Sequence, residues 1–312
     1  MKKILFLTNK GYFTKKIEEQ KIDVIWAFRN IWSVFKIFRI AHFNSKLNFK
    51  HIWFIKFADL NSYDIIIVSA NEFSVYLIPY ITKKLNNNST RLIFWYWNPV
   101  KPAYNPNLVS KEWEKWTFDK DDSVKYNLHY NGTYYFPPEI IKSSTLTNDI
   151  FFIGLDKNRY KELAELKNIF DTFGLKSDFH IVGNKKIFGQ SKKKYKAAIP
   201  YEEVIEKISC SKAILEVMQS GQTGLTLRTM ESLSYGKKLI TTNQSIKDYN
   251  FYKKENIFIL GIDNMQGLYS FINTPYLKLP SEIVEQYNFE NWKSRLLNNL
   301  TLDDDFKENI CK

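Results

Sequence analysis

The strongest constraint on what this chain can fold into is a recurring alternation of short apolar runs with helical patterns. "KILFLT" (Lys3–Thr8), "YDIIIVSA" (Tyr63–Ala70) and "RLIFWYW" (Arg91–Trp97) read as strands. The second is a continuous apolar run, as expected of a strand covered on both faces of a parallel sheet. A helix is predicted over Glu72–Leu85, and "NPVKPAYNPN" is loop. A second series begins near Asp149. Strands are predicted over Asp149–Gly154, Ser177–Gly183, Ala213–Gln219 and Lys237–Thr242, and another lies in "ENIFILG". Helices are predicted over Lys157–Gly174, Pro200–Ser209 and Leu225–Gly236, with one more in "MQGLYSFIN". Such alternation specifies an α/β fold of doubly wound parallel sheets. The chain of 312 residues is long enough for two cores. A polar, Ser/Thr-rich stretch at Ile140–Asp149 sets the expected boundary, giving domains over residues 1–145 and 146–312.

One segment stands apart. In "DVIWAFRNIWSVFKIFRIAHF" (Asp23–Phe43), Val24, Phe28, Ile31, Phe35 and Phe38 fall at helical spacing, and Arg29, Ser33 and Lys36 fall on another stripe. A helix covering the sheet needs such an apolar stripe. A basic, aromatic-rich helix lying on an anionic membrane surface has the same pattern. Both readings stay open.

The net charge is +12, which points to a polyanionic partner or to phosphorylated substrates. A chain rich in Lys, Asn and Ile can also acquire such a charge without functional meaning. No stretch of about 18 residues lacks charge, so no membrane span is expected. The opening "MKKILFLTNKGYF" reads as a first strand rather than a signal peptide. Cys210 and Cys311 form no disulfide framework or metal-ligand spacing and suit a reducing, cytoplasmic setting.

The chemistry concentrates in "MQSGQTGLTLRTMESLSYGKKLITTN" (Met218–Asn243). Gly236-Lys237 imitates a phosphate loop, but the spacing is wrong and a strand follows, so Gly236 reads as a helix end. A dinucleotide fingerprint also fails, because no G-x-G occurs. The loop Ser220–Thr226 is the better candidate, since it joins the carboxyl end of a strand to a helix start. Gly221 and Gly224 permit close backbone approach, and Thr223 and Thr226 add hydroxyls. Arg228 and Glu231 share a helix face, where a guanidinium suits a diphosphate and a carboxylate suits ribose hydroxyls. An ordinary surface ion pair has the same spacing. A second such turn follows Gly154, where Asp156, Lys157, Arg159 and Tyr160 open the next helix. Cations there oppose the helix dipole unless an anion sits between them.

The runs "FFIGLDKNRYKEL" and "IPYEEVIEKISCSKAILEVMQSGQTGLTLRTMESLSYGKKLITTN" resemble the donor-binding domain of bacterial GT-B glycosyltransferases. Within these they are similar to the lipopolysaccharide-core and capsular-polysaccharide group, as is "WEKWTFDKDDSVKYNLHY" (Trp113–Tyr130). The resemblance implies two Rossmann-like domains facing a cleft, the first binding acceptor and the second a UDP- or GDP-linked sugar. It also implies a C-terminal helix available to cross back. Glu231 matches the second member of the family's paired glutamates, whereas Thr223 stands at the first. Lys157, Arg159 and Arg228 match the basic groups that hold the diphosphate, with no metal and no further cofactor. The implied reaction is transfer of a hexose to a surface-polysaccharide or lipid-linked acceptor at the inner face of the plasma membrane. Glu72 is the first candidate for catalytic base, and Asp119 the second. The alternatives are a metal-dependent GT-A enzyme using "DKDD" (Asp119–Asp122) and a non-enzymatic RNA-binding protein. No RNA-binding motif supports the latter, so nucleic acid is not an expected partner.

Overall fold

A computed structural model describes residues 2–9, 11–86, 89–137, 145–183, 194–219 and 221–304. Residues 140–144 of the expected linker, Ser220 of the expected loop, and Cys311 lie outside the described residues. The chain divides into two compact units, Met1–Asn131 and Gly132–Lys312.

The first unit runs β1 (Ile4–Leu7), α1 (Tyr12–Glu19), β2 (Asp23–Ile25), α2 (Ser33–Asn44), β3 (Ile65–Ser69), α3 (Leu77–Lys84), β4 (Arg91–Tyr96), β5 (Glu114–Thr117), α4 (Lys120–Tyr126) and β6 (His129–Tyr130). Its six strands form one sheet in the order β2-β1-β3-β4-β5-β6, all neighbours parallel. All four residues of β1, and Ile65 to Val68 of β3, are buried, as a sheet covered on both faces requires. Trp95, Trp113 and Trp116 are among the largest side chains enclosed.

Two expectations change in this unit. No helix spans Asp23–Phe43. Val24 sits in β2, and buried Phe28 bridges to Phe54 in antiparallel fashion, so α2 starts only at Ser33. Glu72 lies in a turn before the helical segment, because the Asn71 side chain caps that turn by accepting from the Phe73 and Ser74 amides at 2.9 and 3.0 Å.

The second unit runs β7 (Asn148–Leu155), α5 (Tyr160–Thr172), β8 (Ser177–Val182), α6 (Tyr201–Ser209), β9 (Ser211–Glu216), α7 (Leu227–Tyr235), β10 (Lys238–Thr241), β11 (Ile257–Ile259), α8 (Leu268–Asn273), α9 (Ser281–Glu285) and α10 (Phe289–Asn298). The five strands pair in parallel in the order β11-β10-β9-β7-β8. Residues just after Asn131 already pack here. Thr133 Oγ1 donates to Leu225 O at 2.6 Å, and Tyr135 pairs its backbone with Tyr287 and Phe289. The Tyr134 ring packs on Phe289 and Trp292. The unit therefore begins before the polar stretch that the composition marks. Gly236 takes a left-handed φ of 58° at the end of α7, the helix end expected of it.

Among the described residues, no helix is long and apolar enough to cross a membrane.

Candidate functional site

In the second sheet the chain leaves β7 for β8 on one side, then returns to build β9, β10 and β11 on the other. The order thus reverses between β7 and β9. In an open parallel sheet the crevice beyond the carboxyl ends of such a strand pair is where ligands bind. A cavity of about 260 Å³ opens there, and its wall includes Gly154, Lys157, Arg159, Glu216, Thr226 and Arg228.

Arg159 ties the two strand ends together. Its guanidinium donates to Leu155 O at 2.8 Å and to Val217 O, so it bridges the residues at the ends of β7 and β9. A side chain at Gly154 would come within 3.7 Å of that guanidinium and 3.3 Å of the Phe152 ring. Burial draws the Arg159 pKa down from its ordinary value. Arg159 is thus a clasp of the cavity as well as part of its wall. Lys157 and Asn158 take left-handed φ of 45° and 67°, which delays α5 to Tyr160. Lys157 and Arg159 therefore precede the helix instead of loading its first turn with positive charge. Buried Asp156 behind them accepts from Tyr195 Oη at 2.7 Å.

Across the cavity, Thr226 caps α7 by accepting from the Arg228 amide at 3.0 Å. Its hydroxyl in turn donates to the carboxylate of Glu216. Glu216 is buried at the end of β9 and also accepts from Thr229 at 2.7 Å and Thr241 at 2.5 Å. One carboxylate thereby joins β9, β10 and the start of α7. Within the apolar run Ala213–Gln219 no local motif in the sequence marks this residue as a site carboxylate. The available signal was a lone carboxylate within "AILEVMQ", with threonines following at 226, 229 and 241.

Arg228 forms an ion pair with Glu231. Glu231 is only 1% exposed and accepts a second bond, from Tyr201 Oη of α6, at 2.8 Å. Burial raises its pKa against the opposing pull of Arg228 and Tyr201. Tyr201 is pushed well above the usual phenol range, by its own burial first and then by Glu231. The pair is thus interior rather than a surface bridge, and Glu231 is not part of the cavity wall. Gly221, Thr223 and Gly224 also lie off that wall. Gly221 holds a left-handed φ of 76° beside Gln219 and Gln222, which do line it.

The two carboxylates considered as bases belong to the first unit, beyond the carboxyl ends of β3 and β5. Glu72 is exposed. Asp119 is buried as the cap of α4, accepting from the Asp122 amide at 3.1 Å. Asp122 accepts from the Val100 amide at 2.7 Å. Two of the three acids of that motif, Asp119 and Asp122, therefore already serve backbone amides. Among the described residues, no group of three or more His, Cys, Asp or Glu is placed to share a metal ion.

No family model matches this chain, and no curated protein matches it. Solved structures do. Anabaena Alr3699/HepE in complex with UDP-glucose aligns with a TM-score of 0.52 at 10% identity, covering 96% of this chain and 99% of that one. T4 phage β-glucosyltransferase with its UDP-glucose substrate aligns with a TM-score of 0.46 at 16% identity, covering 99% and 95%. The first likeness, together with the two parallel sheets, establishes the fold as that of GT-B glycosyltransferases.

Proposed function

We propose that this protein is a glycosyltransferase that moves a hexose from a UDP- or GDP-linked donor to a surface-polysaccharide or lipid-linked saccharide acceptor at an anionic membrane surface. The observation that carries the reading is the cavity at the strand-order reversal of the second sheet, walled by cations and the N-terminus of α7. Amides at that helix start carry partial positive charge, and Lys157 and Arg228 add full charges. Together they suit the two phosphates of a nucleotide-sugar.

In the proposed reaction the bond between the sugar's anomeric carbon and the diphosphate oxygen breaks. The nucleoside diphosphate leaves with the electron pair. The acceptor hydroxyl oxygen bonds the anomeric carbon, and its proton passes to a base. The charge that develops on the leaving oxygen is stabilised by groups already in place, so the step needs no metal. Arg228 is the principal diphosphate ligand, and Glu231 acts through it by fixing the guanidinium. Exposed Glu72 is better suited to receive a proton than Asp119, whose carboxylate is committed to a cap.

Titration calorimetry with UDP, GDP and their hexose conjugates tests this reading. UDP-glucose or another member of the set is expected to bind with Kd in the range of about 1 μM to 1 mM. Arg228→Ala should weaken that binding about tenfold or more, through loss of a charge-assisted contact. EDTA should leave it unchanged. Absence of binding by every member would remove the donor assignment.

A further inference from the structure

The helix α2 presents its apolar side to solvent. Val34, Ile37 and Phe38 are 63%, 69% and 60% exposed, and with exposed Ala41 they follow the i, i+3, i+4, i+7 spacing of one helical stripe. Trp32, just before the helix, is 83% exposed. The inward side carries the polar anchors. Arg39 donates to Arg29 O at 3.2 Å and lies over the Phe28 ring, while Phe43 is buried. His42 accepts at Nδ1 from Trp53 Nε1 at 2.9 Å, which leaves Nε2 to donate to Asn48 O at 2.8 Å. The loop that follows α2 is thereby clamped to it, and it exposes Leu47, Phe49 and Ile52 in turn. A helix that is anchored inward by Arg39, His42 and the ring of Phe43, yet leaves a whole apolar stripe outward, marks a surface built to be covered.

The charge around it says by what. Between Asp23 and Asp59 the chain has no acidic residue, yet it carries Arg29, Lys36, Arg39, Lys46, Lys50 and Lys56. Two copies meeting through this face would bring those cations together without a counter-charge. An anionic bilayer neutralises them while taking up the apolar stripe. At 12 residues, α2 extends about 18 Å, too short to span a hydrocarbon core but suited to lying in its interface. Trp32 is of the residue type enriched at that depth.

We propose that α2 and the loop clamped behind it dock this protein onto an anionic lipid bilayer. The stripe Val34, Ile37, Phe38 and Ala41 enters the headgroup boundary, and Lys36 and Lys46 meet the lipid charge. This rests on the membrane-surface part of the function proposed above and not on the donor cavity.

Co-sedimentation of the full chain with vesicles tests it. One set is phosphatidylcholine alone, and the other adds phosphatidylglycerol at about one part in four to supply negative surface potential. The anionic set should take up about tenfold more protein, with uptake falling as salt rises. Ile37→Ser/Phe38→Ser should lower that uptake about tenfold while the unfolding midpoint holds. Lys36→Glu/Lys46→Glu should lower it and flatten the salt dependence. No uptake, equal uptake on both sets, or uptake unchanged in the serine variant would overturn the proposal. So would a lipid-independent dimer, seen by sedimentation equilibrium, that the serine variant dissolves. Vesicle binding lost with UDP-glucose binding intact counts against this docking alone, and the reverse counts against the donor reading alone.

Discussion

The helices α2 and α7 break the usual rule of apolar inside and polar outside, in opposite directions. The first exposes Ile37 and Phe38, and the second buries Thr229, Glu231 and Ser232. Neither arrangement helps a helix in isolation. Exposed apolar area forfeits hydrophobic stabilisation, and buried polar groups must recover their lost hydration through bonds. α7 recovers it internally. Glu216 accepts from the hydroxyls of Thr226, Thr229 and Thr241, and Glu231 is held by Arg228 and Tyr201. α2 has no such compensation on its outer face. Departures that are compensated within the fold build a rigid wall for a cavity, whereas an uncompensated one awaits something from outside.

The comparison predicts that substitutions in α7 are costly to stability and substitutions in α2 nearly neutral. The largest effect is expected from Glu231→Ala, which strands the Arg228 guanidinium and the Tyr201 hydroxyl. Breaking a buried pair from one side costs about 3–5 kcal/mol, to be read from urea unfolding. A loss under about 1 kcal/mol would show that the pair is solvated after all. Next is Glu216→Gln, which keeps the shape but sets an amide N–H against hydroxyl donors. It should cost about 2–3 kcal/mol and weaken nucleotide binding, because the α7 start loses its anchor to β9. Ile37→Ser/Phe38→Ser should change stability by no more than about 0.5 kcal/mol, as surface changes do.

A pH series sharpens the contrast within the second unit. Burial raises the folded pKa of Glu231 above its unfolded value, so the native state holds that proton more tightly. Its contribution to stability is full below the unfolded carboxylate range and is lost as pH rises through the folded pKa. Asp178 runs the other way. Burial pushes it up, but hydrogen bonds from Lys196 at 2.8 Å and Lys207 at 3.1 Å outweigh that, and its pKa is lowered. Its contribution is present above the unfolded pKa and disappears as pH falls through the folded one. Relative to wild type, Glu231→Gln should therefore lose the component that declines with rising pH, and Asp178→Asn the component that declines with falling pH. Identical slopes in all three proteins would contradict both directions.

Much of the architecture was legible because parallel strands buried on both faces are written as continuous apolar runs, as in Ile65–Val68. The strands that escaped are short or polar. β2 has three residues, β5 reads "EKWT" and β6 has two. Helical spacing misled between Asp23 and Phe43, since Val24 and Phe28 hold that period by coincidence while a strand and a bridge to Phe54 claim them. At the candidate site, residues local in sequence were easy to see. The i,i+3 relation of Arg228 and Glu231 was visible, but its burial was not, because the enclosing Tyr201 lies 30 residues away. The hydroxyls that converge on Glu216 come from 10, 13 and 25 residues off, beyond any spacing rule.

The cavity between β7, β9 and the start of α7 is proposed to hold a nucleotide diphosphate. Calorimetric titration of UDP-glucose into the wild-type chain and into Arg228→Ala, at equal salt, tests it most directly. Saturable one-to-one binding to the wild type is expected, with affinity lower by about tenfold or more in the variant. Equal affinity in the two proteins, with the variant folded, would contradict it.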